Sequence, residues 1–495
     1  MRVNPRHLLA AWLSVAALAY SARAAADNPD QSQPLPAEVV RAWENAGAEV
    51  GWIKYDATKL EPAEFRRTAE GREGETTAFV LAEWKPGVLT KLPQPPRAFD
   101  LAIGRPIDDA GLKELAGLKN LQALYLGLTY VTDEGLKELA ALKNLQTLDL
   151  SWESRLFELK GLAASQGIQT LILVHAGVTD VGMKEVGRLK NLRSLDLSFT
   201  ATTDAGIKEL AGLNSLRSLT IFGTQLTDAG LKNLAGLKNL QSLILWNNQL
   251  TDVGLAELAG LENLQSLTLM GARVTDAGLK RLAGMRNLQA LDLSGTLLTG
   301  AGLTELAGLK NLRRLNVSYS RVTDAGLKGL AGLTSLKSLG LGEDVLVTDI
   351  GLKELAGLKD LESLDLGRGA RVTNAGLRYL VGLTNLQSLD LGGTQVTGAG
   401  LKQLAGINSL QTLVLWSTKV TDAGLYGLAH LTSLRSLDLH ETKVSDAGLE
   451  ELAALKNLQM LDLRGSRVTE AGGKRLQHLL PNCKIVINYP REEDD

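Results

Sequence analysis

The chain has 495 residues, 44% apolar but only 4% aromatic, so a core of this size must be filled by Leu and Ala. A formal net charge of −2 and the lack of any Lys/Arg run exclude the electrostatic footprint of nucleic-acid binding and argue against a strongly acidic partner. Cys483 is the only cysteine, which excludes an intramolecular disulfide and a Cys-based zinc site.

Residues 1–24 read as an export signal. Arg2, Arg6 and His7 give a positive start. LLAAWLSVAALAY (Leu8 to Tyr20) is apolar but too short to span a bilayer, and Ala22 and Ala24 fit an A-x-A cleavage pattern. The expected location is the periplasm, the cell surface or the medium. Removing the signal takes Arg2, Arg6 and Arg23 and leaves 50 basic against 55 acidic residues. No later segment reaches the roughly 20 apolar residues of a membrane helix.

Residues 25–100 are expected to form a linker and an N-terminal cap. Ala25 to Pro36 reads as linker, Glu38 to Ile53 as one helix, Thr76 to Trp84 as a strand, and Leu92 to Phe99 as a rigid connector. The segment holds Trp43, Trp52, Tyr55, Phe65, Phe79, Trp84 and Phe99, which suit a cap whose aromatics cover the chain just beyond residue 100. A small independent domain is the rival reading.

From residue 101 to 481 the chain repeats itself. Length alone would give about three domains, but a fixed period means one array. The Gly of T-D-x-G recurs at Gly111, Gly135, Gly182, Gly206 and on to Gly472, mostly in steps of 24. The step of 47 before Gly182 hides a degenerate copy whose Leu159, Leu162 and Ile168 keep the apolar frame. In each unit, LQSLIL (Leu240 to Leu245) has strand spacing and TDVGLAELAGL (Thr251 to Leu261) has helical spacing. Thr251 suits an N-cap, Asp252 suits the helix dipole, Leu250 and Leu255 form a hydrophobic staple, and Gly260 suits a left-handed cap. Such units bury their apolar faces only by stacking.

These L-x-x-L-x-L units resemble leucine-rich repeats, and the GLKELAGL half resembles the 24-residue, helix-bearing GALA and cysteine-containing-like subclass of exported bacterial type. The resemblance implies an α/β solenoid, a horseshoe with a parallel sheet on its concave face and helices on its convex face, in about 15–16 units. Residues 482–495 are expected to give a capping strand and an acidic tail. The usual Asn after the strand survives at Asn248. Thr200, Thr224, Thr296, Thr394, Thr418 and Thr442 replace it elsewhere, so a ladder of hydroxyls is expected there.

Candidate contact residues follow from the register. The position between the two inward leucines holds Asp149, Asp196, Asp292, Asp365, Asp390, Asp438 and Asp462, which reads as a solvated column. The position after the second leucine holds Phe222, Trp246 and Met270 in succession, with Phe199 and Ile244 beside them. Large side chains collected there are candidates for partner binding. Trp416, His440 and Arg464 form a second candidate set, able to grip a carboxylate or a sugar. No catalytic motif stands in its required context, and Asp56, Glu61, Glu64 and Glu83 read as surface carboxylates. The functional expectation is a non-enzymatic exported scaffold, without cofactor or metal, that binds a protein, or in second place a glycan, on the concave face. An F-box-like substrate-selecting adaptor, faintly echoed by LPAEVV (Leu35 to Val40), and an enzyme with a catalytic domain before residue 100 are the alternatives.

Overall fold

The computed structural model describes residues 35–54, 64–67, 71–72, 75–246 and 249–487, without the side chains of Lys54 and Glu64. The expected export signal, most of the linker, Asn248 and the acidic tail lie outside the described residues. The chain divides into two compact units, one running through Leu250 with Glu257–Leu264, the other made of Thr251–Ala256 and the residues from Gln265 on.

The first unit opens with helix α1 (Ala37–Asn45) and strand β1 (Ala48–Lys54), where a single helix was expected. Gly47 at φ 93° breaks the helical path, and β-branched Val50 and Ile53 continue as strand. β1 pairs antiparallel with β2 (Glu64–Arg66) and β3 (Glu75–Leu81). β3 in turn pairs parallel with β4 (Phe99–Ile103), and β4 with Leu121–Tyr125. Trp43, Phe79 and Phe99 are fully buried against each other, with ring centroids 4.3–6.0 Å apart. Trp43 Nε1 donates to Pro93 O at 3.0 Å, and the Glu114 carboxylate accepts the N–H of Gly87 and Leu89, tying this segment to the first repeat.

From there the first unit is a parallel ladder through Thr147–Asp149, Thr170–Ile172, Ser194–Asp196 and Ser218–Phe222 to Ser242–Trp246. The degenerate copy keeps its register, with Leu159, Leu162 and Ile168 fully buried. The second unit repeats the ladder from Ser266–Thr268 to Lys484–Val486, its last strand, which follows the helix Glu470–Leu479. Leucines fill both interiors: Leu231, Leu234, Leu237, Leu240, Leu243, Leu245 and Leu250 of one repeat are each at most 1% exposed. Each such burial contributes about 1.5–3 kcal/mol.

The segments opposite the sheet are short α-helices and 3₁₀ turns, such as Asp204–Lys208 followed by Glu209–Gly212. They do not end in a left-handed glycine. Gly260 is absent from the positive-φ glycines, contrary to expectation. The chain instead turns at a Leu in an inverse γ conformation, as at Leu213 with φ −88° and ψ 70°, so the next Leu is buried at once.

The threonines after the strand satisfy backbone groups of the turns, as expected, each within its own repeat. Thr296, Thr394, Thr418 and Thr442 each donate a hydroxyl to the carbonyl three residues earlier in their own repeat, at 2.6 Å. The ladders run elsewhere. The Asp of T-D-x-G reaches the next repeat: Asp204 accepts both the N–H and the hydroxyl of Thr227, Asp252 those of Thr275, and Asp349 those of Thr373. The Asn of the GLKN segment donates to a carbonyl of the preceding repeat, as from Asn239 to Asn214 O at 2.8 Å.

Candidate functional site

Most of the described repeat strands run into a turn whose first residue is left-handed. Trp152, His175, Phe199, Gly223, Gly271, Gly295, Tyr319, Gly393, Ser417 and Gly465 all hold φ between 50° and 70° there. The conformation orients the N–H toward the next repeat: His175 N–H donates to Ser198 O at 2.9 Å and Gly295 N–H to Ser318 O at 2.9 Å. Glycine adopts this geometry without strain, whereas a side chain costs on the order of 1 kcal/mol. Three consecutive repeats nevertheless place Trp, His and Phe at it.

Those three rings begin a continuous stack. Trp152 and His175 lie 3.9 Å apart between centroids at 20°, and His175 and Phe199 4.1 Å apart at 6°. Phe199 meets Phe222 edge-on at 4.2 Å, and Phe222 stacks on Trp246 at 4.0 Å and 7°. Phe222 and Trp246 stand one residue earlier in their repeats, at the ends of their strands, so the row changes position between the third and fourth rings. Gly223 permits the change, since a Cβ there would press on the Phe199 ring. Each ring pair is worth about 0.5–1.5 kcal/mol, enough to offset the strain. Trp152, Phe199 and Trp246 stay exposed at 46%, 39% and 38%. Burial lowers the pKa of His175, so the middle of the row is neutral at physiological pH.

Of the residues singled out from the sequence, the structure brings Phe199, Phe222 and Trp246 together, with Ile244 half-buried on the same strand as Trp246. It missed Trp152 and His175. Reading the column one residue beyond the strand would have found both, because it holds Trp152, His175 and Phe199 in succession. Met270 belongs to the second unit, where it is half-buried.

The second candidate set lies wholly in the second unit. Trp416 rests over Gly392, where no Cβ would fit. Its ring carries the Arg368 guanidinium at 4.6 Å and stacks with His440 at 5.6 Å and 14°. Arg464 does not join the stack. Its guanidinium bonds both oxygens of Asp462, at 2.5–3.0 Å. His440 Nδ1 lies 2.8 Å from Asp438 Oδ1. Asp438, His440 and Asp462 form a grouping with metal-ligand geometry, their ligand atoms within 4.8 Å of one another, and Arg464 already neutralises Asp462.

The carboxylates between the leucines are not one solvated column. Asp149 and Asp196 are 3% and 1% exposed, and each accepts the N–H and hydroxyl of the Ser two residues on. Burial pushes both up to about 6. Asp390 is half-buried and also stands at about 6, through burial and the neighbouring charges of Asp365, Asp438 and Glu343. Burial raises the Cys483 thiol to about 11, which leaves it protonated. Asp56, Glu61 and the Glu64 side chain lie outside the described residues, and Glu83 is exposed. No helix among the described residues is long and apolar enough to cross a membrane.

Residues 251–485 match the family described as leucine-rich repeat region, and residues 188–211, 212–235 and 236–259 match that described as leucine rich repeat. No curated protein matches the chain. Among solved structures, a leucine-rich repeat protein of Leptospira interrogans is 27% identical, with a TM-score of 0.58 over 77% of this chain and 95% of that one. An internalin of Listeria monocytogenes is 22% identical, with a TM-score of 0.47 over 73% of this chain and 90% of that one. The leucine-rich repeat ectodomain of a membrane receptor kinase from Arabidopsis thaliana, solved in complex with a Casparian strip integrity factor, is 18% identical, with a TM-score of 0.44 over 79% of this chain and 55% of that one. With the buried leucines in register, the parallel ladders and the matches to the repeat itself, this chain is a leucine-rich repeat protein.

Proposed function

We propose that the protein is a non-enzymatic, exported scaffold that binds a protein partner along the strand-end rim of its first unit. The observation that carries this reading is the row Trp152, His175, Phe199, Phe222 and Trp246. Three of its members occupy a backbone conformation that most repeats give to Gly or a polar residue, and its tryptophans remain exposed. A surface that accepts strain to present large rings is suited to contact, since buried Trp residues dominate binding energy at about 2 kcal/mol or more each. A stiff repeat backbone loses little entropy on docking. Ile244 extends the contact on the sheet face. Met270 and the Trp416–His440–Arg464 set are subsidiary contacts of the second unit. The cap segment, the GALA-like subclass and cleavage after Ala24 belong to the same proposal.

The test compares proteins captured by the intact chain with those captured by the Trp246→Ala, Phe222→Ala double variant. Loss of a specific partner at unchanged fold supports the aromatic contact, and unchanged capture removes it. N-terminal sequencing of the mature protein tests export separately, with Ala25 expected as the first residue.

A further inference from the structure

The second unit carries a row of cations that the linear sequence disperses. Arg273, Arg321, Arg371, Lys419, Lys443 and Arg467 occupy one position, just beyond the turn that follows each strand. Backbone bonds hold this position in register. Arg371 N–H donates to Val347 O at 2.7 Å, Lys443 N–H to Val420 O at 3.1 Å, and Arg467 N–H to Val444 O at 2.8 Å. Parallel bridges join Thr348 to Arg371, Thr421 to Lys443 and Ser445 to Arg467. Neighbouring repeats therefore stand about one strand spacing, roughly 5 Å, apart at this position of the backbone.

The next residues, Val274, Val322, Val372, Val420 and Val444, are fully buried, so alternation turns the cations outward, and all six are exposed. The ion pairs nearby belong to other residues: Arg368 with Glu343, Arg464 with Asp462, and Arg475 with Asp446. Lys419, Lys443 and Arg467 fall on consecutive repeats, and like charges at this spacing repel. The first unit has no such row: Tyr130, Gly177, Ala201, Gln225 and Gln249 hold the same position, and in the degenerate copy Arg155, before buried Leu156, lies over the Tyr130 ring at 5.1 Å. A row whose cations make no ion pair among the described residues, confined to one unit, is the pattern of a surface shaped for a polyanion, and it counts against the expectation of no strongly acidic partner. That expectation rested on runs, whereas these charges lie 24 or more residues apart.

Arg273, Arg321, Arg371 and Lys419 fall on alternate repeats. Leu297, 57% exposed, Leu346, 39% exposed, and Gln395 stand between them. We propose that this row binds a linear anionic polysaccharide carrying a carboxylate or sulfate on alternate sugars. A pyranose unit in an extended chain rises by about one strand spacing, so a charge on every second sugar meets every second repeat. The intervening leucines offer apolar surface to the C–H face of the uncharged sugar. An extended acidic peptide presents like-facing side chains about every 6.6–6.8 Å and falls out of step with the row. Single-stranded nucleic acid calls for aromatic platforms between the cations, and Leu297, Leu346 and Gln395 supply none. The proposal is independent of the aromatic contact in the first unit.

The test measures binding of fluorescent hyaluronate, which has one carboxylate per disaccharide, to the full chain at low ionic strength. The Arg321→Gln, Arg371→Gln, Lys419→Gln variant is compared with Lys184→Gln, Lys208→Gln, Lys232→Gln, an equal charge change on exposed helix-side positions of the first unit. Binding about tenfold weaker in the first variant alone, and abolished by salt, is the expected result. Equal weakening in both variants, or no binding by the native chain, would overturn the proposal. So would tighter binding of polyglutamate or of an oligothymidylate, which would assign the row to a different polyanion. Circular dichroism of both variants is expected to match the native chain, because every substituted side chain is exposed.

Discussion

The Asp446 carboxylate accepts the backbone N–H and the hydroxyl of Thr469, in the next repeat, at 2.8 and 2.7 Å. The same pair of bonds joins Asp180 to Thr203 and Asp324 to Thr348, so the T-D-x-G motif is a connector between repeats as well as a helix start. Thr203 and Thr348 also accept the N–H two residues on, which caps their own helices.

Replacing Asp446 with Ala is expected to cost about 1–2 kcal/mol, measured by urea unfolding. Asp446→Asn is expected to cost less, because Asn374 already serves as such a rung, accepting the Thr397 N–H at 2.9 Å and donating to its hydroxyl at 2.8 Å. The hydrogen bond from the Thr469 hydroxyl, with the further bonds to this carboxylate, lowers the Asp446 pKa. Its stabilisation is therefore complete above the unfolded value of about 3.9 and is lost as pH falls through the folded value. The Asn variant is expected to lose that part of the acid dependence.

Gly230→Ala separates crowding from helix propensity. Ala is intrinsically the better helix former by about 1 kcal/mol. A Cβ at Gly230, however, would drive into the Asp204 carboxylate and the Leu226 side chain. The expected outcome is destabilisation by about 1–3 kcal/mol. Adding Asp204→Ala is expected to cost less than the sum of the two single changes in a double-mutant cycle.

Asp390 tests crowding of charge. Its folded pKa of about 6 lies above the unfolded value, so its contribution is fully present below about pH 4 and is lost as pH rises through 6. Asp390→Asn keeps an oxygen for the Gly392 N–H, which now donates to Asp390 Oδ1 at 2.7 Å. The variant is expected to gain about 1 kcal/mol at pH 7.5 and to show a smaller fall in Tm between pH 5 and pH 7.5. An unchanged pH profile would mean that Asp390 stays ionised throughout.

Phe199 distinguishes strain from stacking. Both Phe199→Ala and Phe199→Gly remove the ring between His175 and Phe222. Only Gly relieves the backbone at φ 57°. Phe199→Gly is therefore expected to be about 0.5–1 kcal/mol more stable than Phe199→Ala, the reverse of the usual order.

Much of the repeat architecture was legible because a period of 24 leaves each leucine one place to go, and Leu243 and Leu245 are buried as their alternation implies. The uses of polar residues were less legible. Asp252 reads as a helix-dipole residue, yet its carboxylate is spent on Thr275 in the next repeat. The threonines after the strand read as donors to the turns, and the folded chain adds that each closes its own turn. Phe222 and Trp246 could be paired from the column alone. Trp152 and His175 share the neighbouring column with Phe199, but the left-handed turn that lets that column join the row of Phe222 and Trp246 is visible only in the folded chain.

Hydrophobic spacing is a local and repeated signal, so the amino-acid order by itself determined the unit, its strand, its interior and the need to stack. Which atoms meet between units that stack depends on distances no linear reading contains. The coordinates alone decided that Asp446 reaches Thr469, that Trp152 and His175 stack into one row with Phe199, Phe222 and Trp246, and that backbone bridges hold the cation positions in register.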